Sequence, residues 1–135
     1  MKQTLVDTGP LVALIDKGDA DHQRCEDAAR QLKGDLVTTW PVVTEAMYLL
    51  EEAPQGQDAL LQKVEAGDLI LADLSAGDVP GIRELIRKYR DQPMDLADAS
   101  VVRVAQRDSI VEVFTLDKHF RAYRTARGRS FSIKP

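Results

Sequence analysis

The stretch Thr4-Leu5-Val6-Asp7-Thr8-Gly9-Pro10-Leu11-Val12-Ala13-Leu14-Ile15 reads as a strand that turns almost at once into a helix. Thr4-Leu5-Val6 is a short run of strand formers that stops at Asp7. Gly9-Pro10 breaks it, and Leu11 to Ile15 continue as an apolar helix with Pro10 tolerated in the first turn. Outward from this unit the alternation repeats. Asp21 is a plausible cap for a helix through about Leu32, and Asp35-Leu36-Val37-Thr38-Thr39 looks like a second strand. Pro41 opens a helix carrying Val42, Val43, Ala46, Met47, Leu49 and Leu50. Pro54-Gln55-Gly56 is a turn before a helix near Asp58 to Ala66, and Leu69-Ile70-Leu71 a third strand. Ile82, Leu85, Ile86 and Tyr89 mark a helix from about Val79 to Arg90, ended by Pro93. A further helix carries Leu96, Ala97, Ser100, Val101, Val104 and Ala105. Val111 to Thr115 is a fourth strand and Phe131-Ser132-Ile133 a fifth. Short strands alternating with helices predict an α/β fold, a mostly parallel sheet of four or five strands with helices on both faces. With no repeat, linker or low-complexity tract, residues 1–135 are expected to form a single domain.

Composition narrows the function classes. No stretch reaches the roughly 20 apolar residues of a membrane span, and an acid arrives at Asp7 before any signal-peptide apolar region. The single cysteine, Cys25, excludes an intrachain disulfide and a cysteine-rich zinc site, so a cytoplasmic location is expected. The net charge of −4 does not favour a simple basic nucleic-acid binder. Its distribution is uneven: from Lys118 to Pro135 there are six basic residues and no acid. Gly-rich phosphate loops and His-Glu-x-x-His are absent.

The acids carry the chemical signal. In open parallel sheets functional groups gather beyond the carboxyl ends of strands. Asp7 ends the first strand and Asp117 follows the fourth. Asp95 and Asp98, three apart at a helix start, share a face. Glu45 sits inside an apolar helix, where an ionised carboxylate needs a partner. Each has a structural alternative: Asp7 as a helix cap, Asp95 and Asp98 satisfying helix amides, Asp117 heading a turn. Together, converging carboxylates raise one another's pKa unless a positive charge compensates, and hard divalent cations suit oxygen donors.

Leu5 to Leu14, with its aspartate at a strand end followed by Thr8, resembles the opening of a PIN domain. Thr39-Trp40-Pro41-Val42-Val43-Thr44-Glu45-Ala46 is similar to that family's second acidic motif. Met94-Asp95-Leu96-Ala97-Asp98-Ala99-Ser100 resembles the third, and Thr115-Leu116-Asp117-Lys118-His119-Phe120 the fourth. The order covers essentially the whole chain, and within the family the likeness is to VapC-type toxins of toxin–antitoxin pairs. The resemblance implies a PIN-like three-layer fold and a metal-dependent endoribonuclease using Mg²⁺ or Mn²⁺. It implies that Asp7, Glu45 and Asp98 coordinate metal, that Asp117 is the fourth acid, and that Asp95 is a ligand, an outer acceptor or only a cap. Thr8 and Thr115 would orient carboxylates or water. It further implies an RNA substrate, a small antitoxin partner and a homodimer, with no membrane association.

Other residues read more plainly. Lys118, Arg121 and Arg124 are candidates for RNA-backbone contact, or a solvated face. His22 and His119 lie in unrelated segments, which disfavours metal-free acid–base cleavage. Cys25 reads as an ordinary helix residue and Trp40 as a packing residue. Two alternatives remain beside the nuclease: a non-catalytic PIN module, and a receiver-like Mg²⁺-binding signalling domain using Asp73 and Lys118, for which only Asp7 of the required early acidic pair is present.

Overall fold

A computed structural model of the chain describes residues 2–135. Five strands form one parallel sheet: β1 (Gln3–Val6), β2 (Asp35–Thr38), β3 (Ile70–Leu71), β4 (Glu112–Phe114) and β5 (Ser132–Lys134), in the spatial order β3-β2-β1-β4-β5. Six α-helices flank it: α1 (Thr8–Ile15), α2 (His22–Gln31), α3 (Trp40–Leu49), α4 (Pro54–Ala66), α5 (Val79–Lys88) and α6 (Leu96–Asp108). The expected α/β class and parallel sheet are therefore present.

The register explains why one end of the sheet matters. Leu5 pairs with both Val37 and Val113, and Val6 with Phe114. The residues that follow, Asp7, Thr39 and Thr115, therefore emerge side by side at the carboxyl ends of three adjacent strands. The Asp7 N–H extends the ladder by donating to the Phe114 carbonyl at 2.9 Å. Beneath them Leu5, Val6, Val37, Val113 and Phe114 are buried, and α6 lays Val101, Val102, Val104 and Ala105 into the same core. Asp78, paired with Arg103 at 2.9 Å and Arg107 at 3.3 Å, ties the start of α5 to α6.

Several boundaries differ from the sequence reading, each for a local reason. α4 begins at Pro54, not near Asp58, because proline is at home in the first helical turn. It ends at Gly67, whose φ of 83° is the left-handed conformation glycine adopts without strain. α5 stops at Lys88, where the Tyr89 N–H closes the last turn on the Leu85 carbonyl, well before Pro93. β5 is shifted one residue on, because Phe131 turns into the core against the Phe120 ring at a centroid distance of 5.6 Å. Asp21 precedes α2 but makes no side-chain cap bond. Trp40, expected to pack, is 56% exposed: Val42, Val43 and Ala46 occupy the inward face of α3 and leave it outside.

Candidate active site

Asp7 leaves β1 in extended backbone and makes no side-chain cap bond to α1, so the capping explanation for it does not hold. Its carboxylate is buried and instead accepts a hydrogen bond at 2.7 Å from the Thr115 hydroxyl, which stands just past the end of β4. The Thr115 oxygen in turn accepts the Asp117 N–H at 3.0 Å. One hydroxyl thus sets the spacing between two acids. Asp117 opens a 3₁₀ turn over Lys118–Arg121, its Oδ1 accepting the His119 N–H at 2.9 Å.

Asp98 reaches the same place from α6. Asp95 and Asp98 form a reciprocal cap: the Asp98 N–H donates to Asp95 Oδ1 at 2.8 Å, and the Asp95 N–H to Asp98 Oδ2 at 3.2 Å. The cap orients the Asp98 carboxylate while leaving its other oxygen available. As a result Asp7, Asp98 and Asp117 each present a carboxylate oxygen within 4.8 Å of the others. Thr39 caps α3 and lies 2.7 Å, hydroxyl to hydroxyl, from Ser100, which locks α3 to α6 behind the acids.

Burial and mutual repulsion make this arrangement expensive as bare carboxylates. Burial, and then the neighbouring Asp7 charge, push the Asp98 carboxyl up to about 8. Burial raises Asp7 as well, only partly offset by the Thr115 hydrogen bond. Glu45 is raised by burial and by the charges of Asp95 and Asp7. A cleft of about 460 Å³ is lined by Asp7, Thr8, Glu45, Asp95, Asp98, Asp117 and His119. The Thr8 hydroxyl on its wall is buried and faces the Glu45 carboxylate without closing a hydrogen bond of good geometry. Three converging carboxylate oxygens beside the Thr8 hydroxyl fit a hard, oxygen-seeking divalent cation.

The other expected positions separate. Glu45 lines the cleft, half-buried, but stands outside the tight trio. Asp95 is exposed and acts visibly as a cap. Lys118 and Arg121 are exposed on the 3₁₀ turn but do not line the cleft. Arg124 is turned onto the backbone carbonyls of Arg121 and Tyr123. His119 is the residue the sequence reading passed over: its Nδ1 lies 2.6 Å from Asp117 Oδ1, and it lines the cleft. Its spacing of two from Asp117, across a tight turn, was the available signal.

Comparison with known proteins gives the family and the fold. Residues 4–126 match the PIN domain family. The chain is 30% identical over 134 residues to Ribonuclease VapC26 of Mycobacterium tuberculosis, spanning 97% of this chain and 99% of that protein. Among solved structures, the Mycobacterium tuberculosis sarcin–ricin loop cleaving toxin VapC20 superposes with a TM-score of 0.82 at 19% identity, over 88% of this chain and 93% of its own. VapBC2 from Rickettsia felis, bound to a DNA fragment from its promoter, gives a TM-score of 0.69 at 14% identity, over 98% and 99%. At these identities the structures establish likeness of fold.

Proposed function

Since this chain belongs to the PIN-domain family and to its VapC ribonucleases, we propose that its carboxylate cleft is where RNA phosphodiester bonds are hydrolysed with the help of Mg²⁺ or Mn²⁺. The protein is an endoribonuclease toxin of a toxin–antitoxin pair. The observation that carries the assignment of the site is the trio Asp7, Asp98 and Asp117, with oxygens within 4.8 Å.

Asp7, Asp98 and Asp117 would hold the cation, with Glu45 reaching it through water or a second ion and Asp95 acting by holding Asp98. When bound, a divalent cation lowers the pKa of a water and offsets charge on the phosphoryl group. The chain's own part is placement. Thr115 fixes Asp7 relative to Asp117, the reciprocal cap fixes Asp98, and His119 steadies Asp117. Asp98 is pushed up to about 8 and burial raises Asp7 as well, so the trio retains protons when no positive charge offsets it. Water attacks phosphorus in line and the bond to the 3′ oxygen breaks, leaving a 5′ phosphate and a 3′ hydroxyl. Lys118 and Arg121, beyond the cleft, would meet the flanking RNA backbone, with Arg124 beside them. Thr8, whose buried hydroxyl faces Glu45, would orient a water or a carboxylate in the cleft.

This reading takes residues 1–135 as a single PIN domain acting in the cytoplasm as a homodimer restrained by a small antitoxin. No helix among the described residues is long and apolar enough to cross a membrane. The test is cleavage of end-labelled RNA by the purified chain with Mg²⁺, with Mn²⁺ and with EDTA, alongside Asp98→Asn. Cutting that needs the metal, fails in the variant and leaves 5′ phosphates is expected; cutting that survives EDTA overturns the metal-dependent mechanism.

A further inference from the structure

A second cleft, of about 650 Å³, opens beside the acidic one and differs from it in chemistry. Its walls are Trp40, Thr44 and Tyr48 along one face of α3 and Leu96 and Ala97 at the start of α6. Trp40 is 56%, Tyr48 68% and Leu96 55% exposed. Scattered exposed apolar residues need no explanation, but large ones converging on a cleft do. Trp40 and Tyr48 stand eight residues apart on α3, roughly 12 Å of helix rise. Neither belongs to the buried core.

Glu45 and Asp95 line both clefts, so the two are continuous. A strand with one phosphate at the acidic trio has a direct path across Glu45 and Asp95 onto this shelf for one adjoining nucleotide. The shelf has no lysine or arginine with which to hold a phosphate. It offers aromatic faces, on which any base can stack, and two carboxylates at its inner edge. Carboxylates accept hydrogen bonds from exocyclic amino groups such as N4 of cytosine. We propose that the Trp40–Tyr48 shelf binds an unstacked nucleobase next to the scissile phosphate, which makes it the base-reading part of the site.

This rests on the ribonuclease reading of the acidic cleft. A second copy of the chain is the competing occupant. Interface cores are depleted of charge, whereas Glu45 and Asp95 line this shelf.

Trp40 is the only tryptophan in the chain, so its fluorescence reports on the shelf alone. The probe is a short single-stranded RNA of mixed sequence, titrated with Mg²⁺ into the non-cutting Asp98→Asn chain, against an abasic oligomer of equal length and charge. Saturable quenching by the RNA and none by the abasic oligomer is expected. Trp40→Ala should weaken binding of labelled RNA by about five- to a hundred-fold, with Trp40→Phe retaining most of it and Tyr48→Ala showing a smaller loss. In the cutting background, Trp40→Ala should raise KM more than it lowers kcat. Equal quenching by both oligomers overturns the proposal. So does Trp40→Ala that cuts like the parent chain, a result that leaves the ribonuclease reading standing. A parent chain that cuts no RNA overturns both. A molar mass halved in Trp40→Ala, with RNA affinity unchanged, assigns the shelf to a second copy and rejects the base site.

Discussion

The Thr115 hydroxyl donates to Asp7 Oδ2 at 2.7 Å across 108 residues of sequence. The bond exists because β1 and β4 are neighbours in the sheet, with Val6 opposite Phe114, so that the residues following each strand meet. It joins two acids into one unit, since the same oxygen accepts the Asp117 N–H.

Thr115→Val should therefore injure the site more than the fold. Val preserves shape but leaves a buried carboxylate oxygen and a backbone N–H without their partner, costing about 1–3 kcal/mol. Loss of such an outer hydrogen bond typically lowers metal affinity or activity by about 10–100-fold. Isothermal titration with Mn²⁺ and RNA cleavage should both register that loss, and Thr115→Ser should restore most of it. Unchanged Mn²⁺ affinity in the valine variant would refute the coupling.

Repulsion within the trio predicts an unusual stability profile. Asp98, near 8 in the folded chain, keeps its proton at pH values where the unfolded chain, near 3.8, has lost it. Between those values the folded state binds more protons than the unfolded state, so stability falls as pH rises. The raised pKa of Asp7 acts in the same direction. In EDTA the Tm should be lower at pH 8.5 than at pH 5.5. Asp98→Asn should recover roughly 5 °C at the higher pH and little at the lower. Mg²⁺ should raise the Tm of the parent chain at pH 8.5 and do much less for the variant. A Tm that rises with pH in EDTA would contradict the arrangement.

Which parts of this were legible in the sequence follows from how local the signal was. Asp7 and Asp117 could be placed together because each follows a strand, and strand ends in a parallel sheet share one edge. Asp98 was readable as a helix-terminal acid: it closes the cap with Asp95, and its carboxylate also stands beside those of Asp7 and Asp117. Glu45 could be assigned to the region but not to its offset from the trio, which depends on how α3 packs against α6 through Thr39 and Ser100. Trp40 was misread because aromatics favour burial on average, whereas its helix had already filled its inward face with Val42, Val43 and Ala46. His119 is not legible as one of a histidine pair, because its partner is the carboxylate two residues away.

Phe120 anchors the turn that carries Asp117 and His119. Its ring is fully buried, edge-on to Tyr123 at 5.0 Å and to Phe131 at 5.6 Å. Phe120→Ala should cost about 3–5 kcal/mol, measured by urea unfolding. Phe120→Leu keeps most of the volume and should cost less than about 1.5 kcal/mol. Because the leucine cannot reproduce the edge contacts, the turn loosens, and RNA cleavage should drop further than the small stability loss accounts for. Cleavage at the parent level in Phe120→Leu would show that the turn does not depend on the cluster.

Asp95 separates capping from chemistry. Asn and Asp are about equally good helix caps, while Ala costs about 1 kcal/mol. The exposed Asp95 carboxylate accepts the Asp98 N–H, and the Asp95 N–H returns a bond to Asp98, so what Asp98 needs from this residue is an acceptor oxygen and an ordered backbone. An asparagine supplies both. Asp95→Asn should accordingly keep stability and cut RNA within a few-fold of the parent, while Asp95→Ala should lose about 1 kcal/mol and a larger share of cleavage as Asp98 comes adrift. The two variants differ in charge in neither case, since both remove it. If Asp95→Asn melts like the parent chain yet cuts as poorly as Asp98→Asn, the negative charge itself takes part, and Asp95 belongs with the trio as a ligand.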